Sequence, residues 1–308
     1  MRAFFSDHFV LPLPPEHRFP MAKYRLLRER LMAEDVLPLD RFIEPSAADW
    51  TDLRLVHTPA YCDAIANGTL AYQQQRRIGF PWSPAFVERS RRSVGATIEA
   101  ARAALIDGAA ANLAGGTHHA FADHGEGYCV FNDVAVATRR LMRDGAVSRV
   151  LIVDLDVHQG NGTASIFRDE PAVFTFSVHG ASNFPFQKET SDLDIALPDG
   201  TGDDAYLEVL AQHLPTLIDT NQPEVVFYVS GADPYEGDRL GRLKLTIEGL
   251  RARDALVFDT CRAANLPVVV TMGGGYAAVI EDIVTIHANT VREAARHAVE
   301  RPRALGAG

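Results

Sequence analysis

The chain has 308 residues, 47% of them hydrophobic, and a formal net charge of -10. A chain of this length and composition can bury a large core, and no linker rich in proline, glycine or serine divides it, so we expect a single α/β domain. The acidic balance argues against a nucleic-acid partner, which needs a basic face, and is compatible with a cationic substrate.

The three cysteines, Cys62, Cys129 and Cys261, are too few and too scattered for a disulfide framework or a zinc site of the CxxC type. The first residues lack the long apolar stretch of a signal peptide, and no segment approaches the length of a membrane span. We therefore expect a cytoplasmic protein that does not associate with a membrane.

Short apolar runs alternate with helical periodicity along the chain. The predicted strands cover residues 3–5, 109–114, 150–153, 172–178, 224–230 and 268–271. The predicted helices cover residues 21–33, 59–67, 85–106, 203–220 and 246–264, with others ending at 143, beginning near 163 and ending at 299. Asp203 or Asp204 is expected to cap its helix, and Phe80 and Trp82 are expected to be exposed on a loop. Strands that alternate with helices predict a doubly wound, mostly parallel sheet flanked by helices.

The strand at 150–153 ends in three polar residues, Asp154, Asp156 and His158. In an extended chain a spacing of two places side chains on one face, so Asp156 and His158 can point at the same atom. A carboxylate oxygen and an imidazole nitrogen are ligands that zinc accepts. The same residues could instead be buried polar groups that cap the following helix. The triplet alone leaves both interpretations open.

Three other predicted strands also end in reactive side chains. One runs into His118 and His119, another into Asp233, and a third into a triple-glycine turn followed by Tyr276. A pair of adjacent histidines could be a surface feature, but on a loop both rings can enter one cavity. Because ligands bind beyond the carboxyl ends of parallel strands, all four groups are expected at one edge of the sheet.

Together these groups predict a zinc hydrolase. Asp156, His158 and Asp233 make a three-ligand zinc site with a fourth position for water, which is typical of catalytic zinc. A zinc ion held by two carboxylates acidifies its bound water less than one held by three histidines, so a separate base is needed. The paired histidines can take a proton from the water and give one to a leaving amine. Tyr276 can donate a hydrogen bond to the developing oxyanion.

This arrangement resembles the histone deacetylase family over essentially the whole chain. The resemblance is carried by the motifs GGTHHA (115–120), DLDVH (154–158), GAD (231–233) and GGGY (273–276). Within the family the chain looks most like class IV, through HQGNG (158–162) and EGDRLG (236–241). The resemblance implies the arginase/deacetylase fold, with a catalytic domain over residues 1–300 and a C-terminal tail over 301–308.

The resemblance also implies a role for each matched residue. It makes His119 the principal general base and acid, with Asn161 behind its ring. It gives His118, oriented by Asp154, an electrostatic or assisting role. A carboxylate beside one histidine and a neutral amide beside the other predict that His118 stays protonated while His119 is free to act as base. Tyr276 would polarise the acyl carbonyl.

Metal and substrate contacts follow from the same resemblance. The implied zinc ligands are Asp156, His158 and Asp233. The implied potassium ligands are the backbone oxygens of Asp154, Asp156, His158 and Val178 with the hydroxyl of Ser177. The implied substrate contacts are Gly127, Tyr128, Phe184 and Gly274, and the candidates for the rim of the channel are His17, Phe19, Phe80 and Trp82.

The predicted activity is hydrolysis of the amide of acyl-lysine in a protein or peptide. The class IV resemblance implies a preference for long fatty acyl groups over acetyl. An alternative on the same machinery is hydrolysis of small acylated amines such as acetylpolyamines, although no large insertion that would exclude proteins is evident. A second alternative is a zinc-retaining protein that binds without catalysis, against which the retained histidines and tyrosine argue.

A binuclear hydrolase of the arginase type is the nearest enzymatic rival. Two metals need additional bridging carboxylates, two residues after His158 and two residues after Asp233. The chain has Gly160 and Tyr235 at those places, so a single divalent metal is predicted.

Overall fold

The structure, a computed structural model, describes residues 1–14 and 17–300, so the predicted tail at 301–308 lies outside the described residues. The strands are β1 Arg2–Phe4, β2 Phe42–Ile43, β3 Ala109–Asn112, β4 Val150–Asp154, β5 Val173–Gly180, β6 Leu193–Leu197, β7 Val225–Val229 and β8 Val268–Thr271. The helices are α1 Lys23–Ala33, α2 Trp50–Leu53, α3 Pro59–Asn67, α4 Tyr72–Ile78, α5 Pro84–Asp107, α6 Asp133–Arg143, α7 Asn161–Phe167, α8 Asp203–Asn221, α9 Ile247–Ala263 and α10 Ile280–Glu300.

The eight strands form one sheet in the order β2-β1-β3-β8-β7-β4-β5-β6. Every neighbouring pair is parallel. The predicted doubly wound parallel sheet is therefore confirmed. Because the strands run in one direction, their carboxyl ends lie along a single edge, with β8 and β7 in the middle of the row and β4 next to β7.

Both faces of the sheet are covered by helices. In β4, Val150 and Ile152 pack into a core with α3, α5 and α6, whereas Leu151 and Val153 pack into a second core with α1, α8, α9 and α10. Burial on both faces explains the continuous apolar runs of the central strands. Among the described residues, no helix combines the length and the apolar character needed to cross a bilayer.

Four elements were not predicted from the sequence. The strands β2 and β6 lie at the two ends of the sheet, where one side of each strand has no partner, and most of their residues are only partly buried. The helices α2 and α4 are short, and α4 buries only its last residue, Ile78. Without a buried face an element carries no hydrophobic period, which is the pattern that predicts secondary structure.

The predicted capping of α8 by aspartate is wrong. The residue at the N-cap is Gly202, and no side chain caps this helix. Asp203 instead turns its carboxylate to Thr246, whose backbone N–H and hydroxyl donate to it at 2.9 and 2.7 Å. Thr246 in turn caps α9 by accepting a hydrogen bond from the N–H of Gly249. The carboxylate therefore fixes the start of a different helix, a contact across 43 residues that local spacing cannot predict.

The expected exposure of Phe80 is also wrong. Its side chain is buried, stacks on His17 and packs edge-on against Phe19. Trp82 keeps 37% of its surface exposed, while its indole N–H donates to the carbonyl of Ile65. This loop therefore belongs to the packing behind the site described next.

Candidate active site

The carboxyl ends of β4 and β7 lie side by side, because these strands are neighbours in the sheet. Asp156 and His158 follow β4, and Asp233 follows β7. All three side chains are buried, and their ligand atoms lie within 4.8 Å of one another. Nδ1 of His158 is 3.0 Å from Oδ1 of Asp156 and 3.2 Å from Oδ2 of Asp233.

These separations fit a zinc ion, whose ligands at about 2 Å from the metal in a tetrahedral shell lie roughly 3.3 Å apart. Oδ2 of Asp233 is buried and accepts no hydrogen bond from the described residues, which a buried oxygen rarely tolerates without a cation. Burial opposes a proton on His158, but the two carboxylates raise its pKa to about 10. The same pair of carboxylates would attract a divalent cation to this place. The residues therefore fit the metal that the sequence predicts.

Two glycines leave room for the carboxylates. A Cβ atom on Gly231 would lie 2.6 Å from Oδ2 of Asp156, and one on Gly274 would lie 1.9 Å from Oδ2 of Asp233. The N–H of Gly274 donates to Oδ2 of Asp156 at 2.7 Å. Gly274, expected from the sequence to contact substrate, thus packs against the metal ligands and does not line the cavity at this site.

His118 pairs with a carboxylate. Its Nδ1 lies 2.7 Å from Oδ2 of Asp154, and both side chains are buried. Burial opposes a charge on the ring, but the carboxylates of Asp154 and Asp156 prevail and raise the pKa of His118 to about 9. At neutral pH the ring therefore carries a proton on each nitrogen.

His119 pairs with an amide instead. Its Nδ1 lies 2.7 Å from Oδ1 of Asn161, whose Nδ2 donates to Oε1 of Glu126 at 2.6 Å. A carboxylate only accepts, so the amide oxygen faces His119, and the ring must donate from Nδ1. Burial and the positive charges of His118 and His158 hold the pKa of His119 well below its usual value. Nε2 is then left unprotonated. Glu126 was not predicted from the sequence.

Backbone contacts hold Tyr276 on its glycine turn. Its N–H donates to Oδ2 of Asp238 at 2.6 Å, and its carbonyl accepts from Nε of Arg239 at 2.9 Å. Nζ of the buried Lys23 lies 3.4 Å from the carbonyl of Gly275 and 5.5 Å from the centre of the Tyr276 ring. Burial raises the pKa of the phenol well above its usual value, so it stays protonated. Lys23 was also missed, because a lone lysine in a helical pattern indicates nothing but a surface position.

A cavity of about 600 Å³ brings these groups together. It is lined by His119, His158 and Tyr276, which come from three different strand ends. Gly127 and Tyr128 line it as well, both with left-handed backbone, at φ values of 56° and 67°. A Cβ atom on Gly127 would lie 2.7 Å from the ring of His119, so only glycine fits beside the imidazole.

Aromatic rings form two walls of this cavity. Phe184 lies edge-on to His119 with ring centres 5.0 Å apart, and Tyr128 lies 6.0 Å from Tyr276. Of the four candidates for the rim, none lines the cavity: Phe19 and Phe80 pack against Tyr128 at 5.2 and 5.3 Å. The structure therefore assigns Phe19 and Phe80 to the packing that supports the Tyr128 wall.

The potassium site stays a prediction. Ser177 and Val178 lie in β5, next to β4 in the sheet, so their position near the metal ligands agrees with the sequence analysis. The hydroxyl of Ser177 already has a partner, Nδ1 of His179, at 2.9 Å. A potassium ion at this hydroxyl would compete with or reorient that contact.

Known proteins of one family resemble this chain in sequence and fold. Residues 17–291 match the histone deacetylase domain. An uncharacterized protein of Picosynechococcus sp. is 51% identical over 283 residues, covering 92% of this chain and 94% of that protein. Histone deacetylase 2 of Arabidopsis thaliana is 32% identical over 269 residues, covering 84% and 70%. The crystal structure of the HDA15 HD domain has the same fold, with a TM-score of 0.82 at 22% identity over 96% of this chain and 88% of that one. The chain belongs to the histone deacetylase family.

Proposed function

We propose that this protein is a zinc-dependent hydrolase that removes acyl groups from the side-chain amine of lysine in a protein or peptide. The observation that carries the proposal is the cavity of about 600 Å³ that His119, His158 and Tyr276 all line. Membership of the deacetylase family supports the amide hydrolysis. We further propose that residues 1–300 act as one catalytic domain.

Asp156, His158 and Asp233 would hold the zinc ion. Zinc, when bound, supplies a Lewis acid that acidifies a water molecule and polarises the carbonyl of the amide. The carboxylates also place two negative charges in the shell, so proton removal needs the separate base that the sequence predicts.

His119 is the proposed base. Asn161 accepts a hydrogen bond from Nδ1 of His119 and so keeps a proton there, which leaves Nε2 of His119 free to take the proton of the attacking water. The same nitrogen then gives that proton to the nitrogen of the departing lysine. His118, held protonated by Asp154, contributes a positive charge beside the charge that develops in the transition state.

Tyr276 is the proposed oxyanion donor. Its phenol is protonated, lies at the cavity and donates to the amide oxygen as negative charge develops there. The rings of Tyr128 and Phe184 flank the apolar stem of the lysine, whose four methylenes gain from burial between aromatic walls.

The test is release of acetate from an acetyl-lysine peptide by the zinc-loaded protein. Tyr276→Phe should lower kcat by about 10²–10³, as loss of one oxyanion donor does elsewhere, with the same thermal stability. Tyr235→Phe is the matched control, because it removes a hydroxyl that contacts Asp282 outside the cavity and should keep full activity. Inactivity of the zinc protein on every acyl-lysine peptide would overturn the proposal and favour a binding protein, and activity on acetylpolyamines alone would favour the small-amine alternative.

The length of the acyl group is a separate part of the proposal. Tyr128 also lines a second cavity, next to Gly115 and Thr117, of about 50 Å³. One water molecule needs about 10–15 Å³ of such a volume, so this cavity holds a few water molecules and is too small for a fatty chain. We therefore expect kcat/KM to fall from acetyl-lysine to octanoyl-lysine to myristoyl-lysine in one peptide. A rise along this series would support the long-chain preference that the class IV resemblance implies, and would require the wall at Tyr128 to open.

A further inference from the structure

Arginines surround the opening of the cavity. The large cavity is lined by Arg76, Arg77 and Arg242, and an adjoining cavity of about 310 Å³ is lined by Arg18 and Arg239. Leu240 and Tyr276 line both cavities. All five arginines are exposed to solvent. We call these five residues the arginine rim.

The rim comes from three separate parts of the fold. Arg18 precedes α1, Arg76 and Arg77 end α4, and Arg239 and Arg242 lie in the loop between β7 and α9. Backbone hydrogen bonds fix α4 at the opening, since the N–H groups of Gly127 and Tyr128 donate to the last turn of that helix. The positive charge at the opening therefore comes from three parts of the fold.

Little negative charge offsets the rim. Among the described residues that line the two cavities, Glu126 is the one carboxylate. It is turned inward to Asn161 and lies 3.8 Å from Nε of Arg77. Arg242 pairs with Asp199 at 3.2 Å. The opening thus carries an excess of positive charge on a chain whose net charge is -10.

Three rim residues keep guanidinium groups available. Within the described part of the chain, Arg18, Arg76 and Arg239 form no ion pair with a carboxylate. Arg76 lies over the ring of Tyr72, 5.8 Å from its centre, and Arg239 uses only Nε, for the carbonyl of Tyr276. A guanidinium with free N–H groups binds a carboxylate through two parallel hydrogen bonds.

We propose that the substrate is an acyl-lysine flanked by aspartate or glutamate residues, whose carboxylates bind the arginine rim while the acyl-lysine occupies the cavity. The proposal rests on the proposed deacylase function and specifies its substrate class. A lysine-rich tail or a polyamine would bring like charges to the rim and be repelled. The net acidic charge made a cationic substrate plausible from the sequence, but the local charge at the opening has the opposite sign.

The substrate carboxylates that bind the rim are expected on the residues beside the acyl-lysine and not on the acyl group itself. The rim is exposed, whereas His119 and His158, where the acyl group must lie, are buried. Among the described residues that line the large cavity, the arginines are Arg76, Arg77 and Arg242, and all three are exposed, so the buried end offers no guanidinium to a carboxylate on the acyl group. Carboxylates a few residues from the lysine can instead reach the rim from both sides of the opening.

The experiment compares three peptides with the same central acetyl-lysine and with acidic, neutral or basic flanking residues. For the zinc-loaded protein we expect kcat/KM to be about tenfold higher for the acidic than for the basic peptide at low salt, the combined effect of a few exposed ion pairs. The ratio should shrink towards one at about 0.5 M salt, because exposed charges are then screened. A succinyl-lysine peptide with neutral flanks should gain nothing over its acetyl counterpart.

Charge-reversed variants locate the effect. Arg18→Glu and Arg76→Glu should each reduce the ratio several-fold, and Arg76→Lys should preserve most of it. Arg41→Glu is the matched control, because Arg41 precedes β2 at the opposite edge of the sheet and its loss changes the net charge equally. A ratio near one at low salt, or equal effects of Arg41→Glu and Arg76→Glu, would overturn the proposal.

Failure of the proposal is distinguishable from failure of the proposed function. Hydrolysis of the neutral peptide reports on deacylase activity alone, whereas the ratio of acidic to basic peptides reports on the rim. If no peptide is hydrolysed, the same peptides, fluorescently labelled, can be tested by binding to the zinc-loaded protein. Tighter binding of the acidic peptide would still support the rim, and equal binding would reject it.

Discussion

A carboxylate touches Nδ1 of one active-site histidine and an amide oxygen touches Nδ1 of the other. His118 beside Asp154 is held protonated, and His119 beside Asn161 keeps Nε2 free. Two rings whose centres lie 4.2 Å apart thus have opposite proton affinities, which is what a base and a neighbouring positive charge require.

This asymmetry predicts unequal losses on substitution. His119→Ala should lower kcat/KM by about 10²–10⁴, the usual contribution of a general base, and His118→Ala should lower it less. The zinc content of each variant, measured by elemental analysis, checks that the metal site survives. His124→Ala is the control, since His124 pairs with exposed Asp123 and should retain full activity. Equal losses from His118→Ala and His119→Ala at every pH would reject the assigned roles.

A buried histidine outside the site predicts how stability depends on pH. Nδ1 of His57 donates to the carbonyl of Phe121 at 2.9 Å, and Nε2 accepts the N–H of Asn132 at 3.0 Å, so the ring is neutral in the fold. Burial lowers its pKa from 6.5 to about 4. His57 therefore binds a proton below pH 6.5 in the unfolded chain but only below about pH 4 in the folded chain.

The stabilisation from His57 is complete above pH 6.5 and is lost as the pH falls towards 4, by roughly 3 kcal/mol in total. Urea unfolding of the wild type between pH 8 and pH 5 should show about 2 kcal/mol of this loss, because the folded chain is not yet protonated at pH 5. His57→Gln keeps a donor and an acceptor but does not titrate, so its free energy of unfolding should fall less steeply below pH 6.5. Parallel curves for the two proteins would contradict the prediction.

Much of this chemistry could be predicted from residue spacing, because Asp154 ends one strand and Asp156, His158 and Asn161 follow it, all within eight positions. Spacing predicts which side chains share a strand end, and the structure places them as expected. It does not predict Glu126 or Lys23. Their contacts join residues 35 and 252 positions apart, and neither side chain stands in a pattern that sets it apart from a surface residue.

At the scale of elements, a buried arginine on α9 joins the two strand ends that hold the candidate metal ligands. Nη1 of Arg253 donates to the carbonyl of Leu155, just after β4, at 3.3 Å, and to that of Gly231, just after β7, at 2.7 Å. Nη2 donates to Asp254, which also accepts from Thr290 on α10 at 2.6 Å. The carbonyl of Leu155, next to Asp156, and the carbonyl of Gly231, two residues before Asp233, thus accept hydrogen bonds from one guanidinium.

Arg253→Met should destabilise the fold by about 3–5 kcal/mol, because it leaves the Asp254 carboxylate buried without its cation. It should also weaken zinc binding, measured by competition with a chelator, because the two strand ends lose their common donor. The double variant Arg253→Met/Asp254→Leu removes the unpaired charge and should recover part of the stability but not the zinc affinity. A single variant that loses less than about 1 kcal/mol, or that binds zinc as the wild type does, would contradict this role.

The central strands could be predicted because burial on both faces leaves an apolar run in the sequence, as in β4, β7 and β8. The edge strands β2 and β6 lack that run, since solvent reaches one side of each. The start of α9 depends on Asp203 from another helix, a tertiary contact that overrides the local expectation that the aspartate caps α8.

At the scale of the whole molecule, net charge and local charge point in opposite directions. The chain is acidic overall, yet the described residues around the opening include five arginines and one glutamate. Composition predicts only the sum. The members of the rim, Arg18 to Arg242, are up to 224 residues apart in the sequence, and only the fold brings them to one opening.

Metal binding should stabilise the whole molecule. The two candidate ligand carboxylates are buried next to His158, and a group that binds the folded chain but not the unfolded chain adds about 4 kcal/mol at a thousand times its dissociation constant. Removal of zinc by a chelator should therefore lower Tm, and restoring zinc should recover it. Asp233→Ala should show no zinc-dependent rise in Tm.

The stoichiometry of this effect distinguishes the single-metal site from the binuclear rival. Gly160 and Tyr235 stand where a second metal would need carboxylates, and the described residues at these strand ends offer one cluster, Asp156 with His158 and Asp233. Titration of the chelated protein with zinc should raise Tm until one equivalent has been added, and elemental analysis should find one zinc per chain. Two tightly bound transition metals per chain would contradict the prediction, because the second would need ligands that these residues do not provide.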